Sequence, residues 1–204
     1  MPKKTFFNLP ENKRDKIIQS AMKEFSEKPF KKVTVDSLVE RAEIPKGSFY
    51  QYFSNKEDIY RHLYNLILME KKKELKSMMK FLKNVQFSDF MRQMFLKGIE
   101  FDLQKKELND LREQFFLKTS QELREEILND MIKHSNEIFK EILKYYVDVG
   151  ELKNNLDISL TANILSSMII FFSKKMTSEQ YRSKDEIYNV VENMLSVIEK
   201  GIKK

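Results

Sequence analysis

The chain has 204 residues, of which 41% are hydrophobic and 33% are charged, and its formal net charge is +6. It has only four glycines and four prolines, far fewer than the roughly 12% of residues that average usage gives, and this scarcity weighs against a β-rich fold, whose turns need both. The absence of cysteine excludes disulfides, thiolate metal sites and a cysteine nucleophile. The composition therefore predicts an all-α protein with ample apolar material for a core.

The N-terminal sequence and the longest uncharged segment bear on where in the cell the protein is expected. The N-terminal sequence lacks the apolar stretch of about 7–15 residues that a secretion signal requires. The longest uncharged segment, residues 158–173, contains several serines and falls short of the roughly 20 apolar residues that cross a bilayer. We therefore expect a cytoplasmic protein without a membrane span, in which residues 158–173 form a buried helix.

The positive charge is concentrated near the N-terminus. Residues 1–66 hold 13 of the 37 Lys and Arg residues but only 9 of the 31 Asp and Glu residues. This excess suits a polyanionic partner but is too mild to identify one.

All four prolines lie within the first 45 residues. Because an interior proline costs a helix about 3 kcal/mol, we expect short helices at the front of the chain and long ones behind them. The segment between Pro10 and Pro29 carries one apolar face at helical spacing, formed by Ile17, Ile18, Ala21, Met22 and Phe25. Thr34 is a good N-cap for a second helix over residues 34–42, which Pro45 ends.

A third short helix over residues 46–53 directs Phe49 and Phe53 inward, and a fourth begins near residue 56. Two short helices joined by a tight turn and braced by a third form the helix-turn-helix layout. The outer faces of the third helix are predicted to carry Lys46, Ser48, Tyr50, Gln51 and Tyr52. Each of these can donate a hydrogen bond, and no carboxylate lies between residues 44 and 56 to repel a phosphate. A solvated helix in a plain bundle is the alternative at this point.

The segment over residues 34–57 resembles the DNA-binding signature of the tetracycline-repressor (TetR) family of bacterial transcription regulators. The match is carried by Thr34, by the run Lys46-Gly47-Ser48-Phe49-Tyr50, by Tyr52-Phe53 and by Asn55-Lys56-Glu57. The resemblance is detailed over about residues 10–66 and extends to the remainder only in layout and length. It implies an all-helical homodimer with two domains. Residues 1–66 would form the helix-turn-helix DNA-binding domain, with its motif at about 34–53, and residues 67–204 the effector-binding and dimerisation domain.

The same resemblance assigns a DNA-binding set that comprises Thr34, Lys46, Gly47, Ser48, Tyr50, Gln51, Tyr52 and Lys56. Tyr50 and Tyr52 would contact phosphates through their hydroxyls, and Lys56 would hold another phosphate. Thr34 would offer its amide or hydroxyl at a helix N-terminus. Gly47 would let the backbone approach a palindromic double-stranded operator closely. Gln51 is suited to pair with adenine and Lys46 with guanine.

The family's effector cavity would lie among the later helices. Its expected lining residues are Phe101, Phe115, Phe116, Met131, Phe139 and Tyr145, and the alternative is that these side chains are simply core. Eleven methionines and sixteen phenylalanines would give such a cavity an adaptable apolar wall, which points to a small apolar or aromatic effector.

The last two helices are expected to form the dimer interface. A helix that is apolar on most faces must be covered on most faces, and a second subunit is an economical cover at the end of a chain. The interface residues predicted on this basis are Ala162, Leu165, Ser166, Ile169, Ile187, Val191, Met194 and Ile198.

No catalytic, cofactor or metal site is predicted. The two histidines, His62 and His134, belong to no metal-binding pattern, and no glycine loop or nucleophile elbow is present. Two non-enzymatic functions follow. The first is a repressor released from its operator by an effector. The second is a helical interaction or membrane-surface protein whose basic segments, such as residues 71–83, bind a partner without specific DNA recognition.

Overall fold

A computed structural model describes residues 1–104, 106–177 and 184–202. Over these residues the chain forms helices and no strand, which confirms the predicted all-α fold. The α-helices are α1 (Lys4–Phe7), α2 (Glu11–Glu27), α3 (Val35–Ala42), α4 (Lys46–Tyr52), α5 (Lys56–Met79), α6 (Phe87–Gln104), α7 (Lys106–Lys118), α8 (Gln121–Asp148), α9 (Ile158–Thr177) and α10 (Lys184–Ile202). Two short 3-10 helices cover Phe30–Lys32 and Leu82–Asn84.

The chain divides into two compact units, and the division differs from the single boundary expected after residue 66. The first unit comprises residues 1–70 and 102–127, and the second comprises residues 71–101 and 128–204. Helix α7 belongs to the first unit because it packs on α2 and is tied to α5. The Tyr60 hydroxyl lies 2.8 Å from the Thr119 hydroxyl, and the Tyr64 hydroxyl donates to the Leu111 carbonyl at 3.2 Å. These contacts join residues far apart in sequence, which local periodicity does not reveal.

The core of the first unit is aromatic. On α2, Ile17, Ala21 and Phe25 are buried, as the predicted apolar face requires. The Phe25 ring meets Tyr60 of α5 with a centroid separation of 4.7 Å. Phe49 of α4 is also fully buried. The short helices are therefore held by rings packed between them rather than by their own length.

The core of the second unit is an apolar cluster drawn from several of its helices. Its buried members include Met91 of α6, Ile142 of α8, Phe172 of α9 and Leu195 of α10.

Among the described residues, no helix combines the length and apolar character needed to cross a bilayer.

This cluster also contains most of the residues predicted to form the dimer interface. Buried within it are Ala162, Leu165, Ile187 and Val191, Ser166 is buried as well, and Ile169, Met194 and Ile198 pack against it partly buried. The prediction is wrong for the five buried residues, because helices of the same chain already cover them. Among the described side chains of α9, the large apolar ones that are exposed are Leu160, Ile164 and Phe171, at 57%, 48% and 57% of their full accessibility.

Candidate nucleic-acid interface

Helix α3 begins at a complete capping box. The Ser37 amide donates to the Thr34 hydroxyl oxygen at 3.1 Å, and the Thr34 amide donates to the Ser37 hydroxyl at 3.2 Å. Both groups are thus used to start the helix. The Thr34 amide is therefore not free for a phosphate. The proton of the Thr34 hydroxyl has no acceptor among the described residues. Because the Thr34 side chain is exposed, this hydroxyl faces solvent.

The turn between α3 and α4 is tight and strained at one residue. Glu43 closes α3 in the left-handed region, with φ 53° and ψ 47°, a conformation that costs a residue with a Cβ about 1–2 kcal/mol. The Ile44 amide then donates to the Val39 carbonyl at 3.1 Å, and Pro45 starts α4. The Lys16 ammonium lies 2.6 Å from the Glu43 carboxylate and holds the pKa of that carboxyl below its ordinary value.

Helix α4 presents one face to the core and one to solvent. Phe49 and Phe53 are buried as predicted, whereas Lys46, Gly47, Tyr50 and Gln51 are exposed and Ser48 is partly exposed. A Cβ built on Gly47 meets no atom within 4 Å. The exposed face therefore has room for another molecule to approach the backbone at Gly47.

The cation on this face has a partner in the free protein. The Lys46 ammonium lies 2.7 Å from the Asp36 carboxylate, and that contact raises the pKa of Lys46. Asp36 is exposed in the first turn of α3, so an acidic side chain does border the face. The carboxylate-free stretch read from the sequence holds along α4 but not across the two helices.

Tyr52 is not on the outer face. It retains 6% of its accessibility, and its ring centroid lies 6.2 Å from that of Phe6. The helical period places residue 52 beside residues 49 and 53, so the expectation of an outward, phosphate-contacting Tyr52 is wrong.

Lys56 braces the fold rather than standing free. Its ammonium donates to the Phe30 carbonyl at 3.0 Å and to the Val33 carbonyl at 2.9 Å, and it lies 4.5 Å from the centroid of the Phe30 ring. These contacts fix the loop that leads into α3, and the expected phosphate contact by Lys56 would have to compete with them. Two exposed lysines of the same loop, Lys31 and Lys32, were missed by the sequence analysis, although they lie only three and two residues before the N-cap Thr34.

A buried carboxylate fixes α3 against α2. Glu24 is buried, and it accepts from Lys28 at 2.6 Å and from the Arg41 Nε at 2.8 Å. Burial acts most strongly on this group and disfavours its ionised form. Hydrogen bonds from Lys28, Ser37 and Arg41 outweigh burial and hold the pKa of Glu24 below its ordinary value. The Arg41 guanidinium also pairs with Glu27 at 2.6 Å, which completes a network between the two helices.

The N-terminal segment, residues 3–7, is a further element that the sequence analysis missed. It contains the one-turn helix α1, and its Phe6 ring is buried 4.9 Å from the ring of Phe53. Its polar groups reach the C-terminal end of α4. The signal available in the sequence was the pair Phe6-Phe7 ahead of Pro10.

The residues predicted to line an effector cavity fall into both compact units. Phe115 and Phe116 belong to the first, and Phe101, Met131, Phe139 and Tyr145 belong to the second. The Phe115 ring packs 4.7 Å from that of Tyr64, and Phe139 lies in the core cluster of the second unit. Their role as a cavity lining stays a prediction.

Comparison with known proteins bears on the arrangement of α2 to α5. The sequence model of the family of bacterial regulatory proteins called tetR matches residues 17–63 of this chain. The negative transcriptional regulator IcaR of the biofilm operon icaADBC from Staphylococcus epidermidis is 44% identical over 48 residues, which are 24% of this chain and 26% of that protein. IcaR of Staphylococcus aureus strain Newman is 25% identical over 199 residues, which cover 87% of this chain and 96% of the relative. Residues 17–63 therefore carry the helix-turn-helix signature of the tetR family.

A solved structure extends the likeness from the helix-turn-helix to the whole fold. The crystal structure of a TetR family transcriptional regulator from Chloroflexus aurantiacus J-10-FL matches with a TM-score of 0.60 and 25% identity, and covers 100% of this chain and 99% of that one. The predicted family and the predicted fold class, a helix-turn-helix followed by a larger helical region, are therefore confirmed. The high-identity match to the first IcaR spans about a quarter of that relative's length.

Proposed function

We propose that this TetR-family protein is a transcriptional regulator that binds a palindromic DNA operator as a homodimer and is released from it by a small effector. The observation that carries the proposal is the solvent face of α4. That face presents hydrogen-bond donors around an open glycine, on a helix seated by two buried phenylalanines.

The contact set follows from what the structure leaves exposed. Lys46, Gly47, Ser48, Tyr50 and Gln51 would enter or border the major groove, with Gln51 suited to adenine and Lys46 to guanine. The Thr34 hydroxyl, Lys31 and Lys32 would hold phosphates beside it, which positions the helix without reading sequence. Tyr52 and Lys56 are left out, because the first is buried and the second is bonded within the fold.

A homodimer would supply the second reading helix. One short helix reads few base pairs, whereas two held about 34–36 Å apart read half-sites one turn apart. The exposed face of α9 supports this assembly, because Leu160, Ile164 and Phe171 share it with the uncharged Asn163 and Ser167. An apolar stripe of this kind on a second copy would cover it about a two-fold axis.

Release by an effector would act through that dimer. An effector that prefers a dimer geometry poorly matched to the operator lowers DNA affinity, and DNA lowers effector affinity by the same factor. The abundance of methionine and phenylalanine favours an apolar or aromatic effector. Repression, rather than activation, is supported by the names of the IcaR relatives, which are negative regulators.

The test is selection of duplexes from a randomised DNA library, followed by affinity measurements at several salt concentrations. A regulator enriches a palindrome, and its affinity falls steeply with salt because several phosphates are contacted. Equal binding to unrelated duplexes, or binding to anionic liposomes with no enriched sequence, would instead support the alternative of an interaction protein without specific DNA recognition.

A further inference from the structure

We propose that the N-terminal segment, residues 3–7, is a clamp that sets the orientation in which α4 meets DNA, with Lys3 and Thr5 as its positioning residues. The proposal rests on the proposed function and adds to it residues that do not themselves touch the operator.

The clamp satisfies the exposed end of α4. The last carbonyls of a helix have no partner within the helix. Three successive carbonyls at the end of α4 are bonded by the clamp. The Lys3 amide donates to the Tyr52 carbonyl at 2.8 Å, and the Lys3 ammonium donates to the Tyr50 carbonyl at 2.7 Å. The Thr5 hydroxyl donates to the Gln51 carbonyl between them.

Helix α4 needs such external support. It has 7 residues and begins at Pro45 without a side-chain cap. Isolated helices shorter than about 12 residues are marginal in water, so contacts outside the helix decide its geometry. The positive Lys3 ammonium also lies at the negative end of the helix dipole, where a cation is favoured. The clamp therefore restrains the residues, Tyr50 and Gln51, whose side chains face outward.

The clamp is itself anchored to the core. Phe6 is buried, and its ring lies 4.9 Å from that of Phe53 and 5.5 Å from that of His62 on α5. Lys3 and Thr5 are exposed, so their substitution leaves this anchor in place. The segment precedes residues 17–63, the stretch that the family model matches.

A direct phosphate contact by Lys3 is the competing explanation, and salt separates the two. Affinity falls as salt rises, and each phosphate contact that is lost makes the slope of log affinity against log salt shallower by about 0.9. A positioning residue changes affinity through the geometry of α4 and leaves this slope unchanged. Lys4 provides the matched control, because it is an adjacent exposed lysine whose ammonium makes no bond to the described residues.

The experiment compares Lys3→Met and Thr5→Val with Lys4→Met and Thr5→Ser in the full chain. Operator affinity is measured against salt on the selected duplex, and hydrogen exchange of the α4 amides is measured on the free protein. We expect Lys3→Met and Thr5→Val each to weaken binding about five- to tenfold with the salt slope unchanged, because each removes one hydrogen bond that orients α4. The α4 amides should exchange faster in these two variants, while Lys4→Met and Thr5→Ser should resemble the wild type.

Three results overturn the clamp. The first is an equal effect of Lys3→Met and Lys4→Met on binding. The second is unchanged exchange of the α4 amides in Lys3→Met and Thr5→Val. The third is a loss of salt slope of about 0.9 in Lys3→Met, which identifies a phosphate contact. If the wild type enriches no duplex, the proposed function fails, and the exchange measurement alone still decides whether the clamp restrains α4.

Discussion

The Lys46 ammonium lies 2.7 Å from the Asp36 carboxylate, so the lysine that begins α4 is neutralised by a side chain of α3 in the free protein. A phosphate or a guanine edge would have to replace Asp36 as the partner of Lys46. The carboxylate would then face the approaching duplex with its charge uncompensated, which opposes binding.

Asp36→Asn is therefore expected to strengthen operator binding, by about three- to tenfold at low salt, and the gain should shrink as salt screens the charge. Stability should fall by no more than about 1 kcal/mol, because an acidic group leaves the first turn of α3. Glu40→Gln is the control, since it removes an exposed carboxylate from the same helix without touching Lys46. Equal gains in both variants would show that net charge alone is responsible.

The buried Glu24 should be the electrostatic anchor of the first unit. Glu24→Gln removes the partner of Lys28 and Arg41, and we expect the free energy of unfolding to fall by about 2–4 kcal/mol. Glu27→Gln, at an exposed end of the same network, should cost less than about 1 kcal/mol. Denaturant unfolding of the two variants checks this, and equal losses would contradict the role of burial.

The same carboxylate should make the free energy of unfolding depend on pH in the acid range. Because the pKa of Glu24 is lowered in the folded state, its contribution is present above the unfolded value of about 4.5 and is lost as pH falls through the folded pKa. The stability difference between the wild type and Glu24→Gln should therefore narrow below about pH 4.5. A difference that stays constant down to acid unfolding would contradict an ionised Glu24.

His62 should make the first unit sensitive to mild acid. Its ring is buried between Phe6 and Phe7, its Nδ1 has no partner among the described residues, and burial lowers its pKa. The unfolded chain then binds a proton that the folded state excludes, so stability should fall as pH drops below about 6.5. His62→Leu should flatten this dependence, whereas His134→Gln, at an exposed ring, should leave it intact. If the stability of His62→Leu depended on pH as that of the wild type does, His62 would not be the source of the acid sensitivity.

The exposed stripe of α9 should determine the oligomeric state. Ile164→Asp places a charge at its centre, and we expect sedimentation to show a shift from dimer to monomer together with a loss of operator affinity. Val149→Asp changes an equally exposed apolar residue outside α9 and should do neither. A wild-type monomer, or an Ile164→Asp variant that remains a dimer, would show that α9 is not the interface.

Local patterns in the sequence were sufficient to predict the helix-turn-helix. The cap at Thr34, the break at Pro45 and the inward Phe49 and Phe53 each depend on neighbours within a few residues, and each was found as expected. The outward position predicted for Tyr52 was wrong, because the helical period places residue 52 beside the buried Phe49.

The remaining differences arise from contacts over long sequence separations. Lys56 meets carbonyls more than twenty residues earlier in the chain, and Lys3 meets α4 almost fifty residues away. The apolar stripe of α10 was assigned to a partner subunit because the sequence does not show that the chain's own core covers Val191. Periodicity identifies a face that must be buried but not the element that buries it.

The most direct test of DNA binding by the α4 face is the operator affinity of Gly47→Ala beside that of Gly98→Ala. In both helices the added Cβ meets no atom within 4 Å beyond its chain neighbours and the backbone of its own helix, and each substitution should raise stability by at most about 1 kcal/mol. We predict that Gly47→Ala loses about tenfold or more in operator affinity, because the methyl group meets the duplex, while Gly98→Ala binds as the wild type does. Wild-type affinity in a folded Gly47→Ala variant would contradict the account.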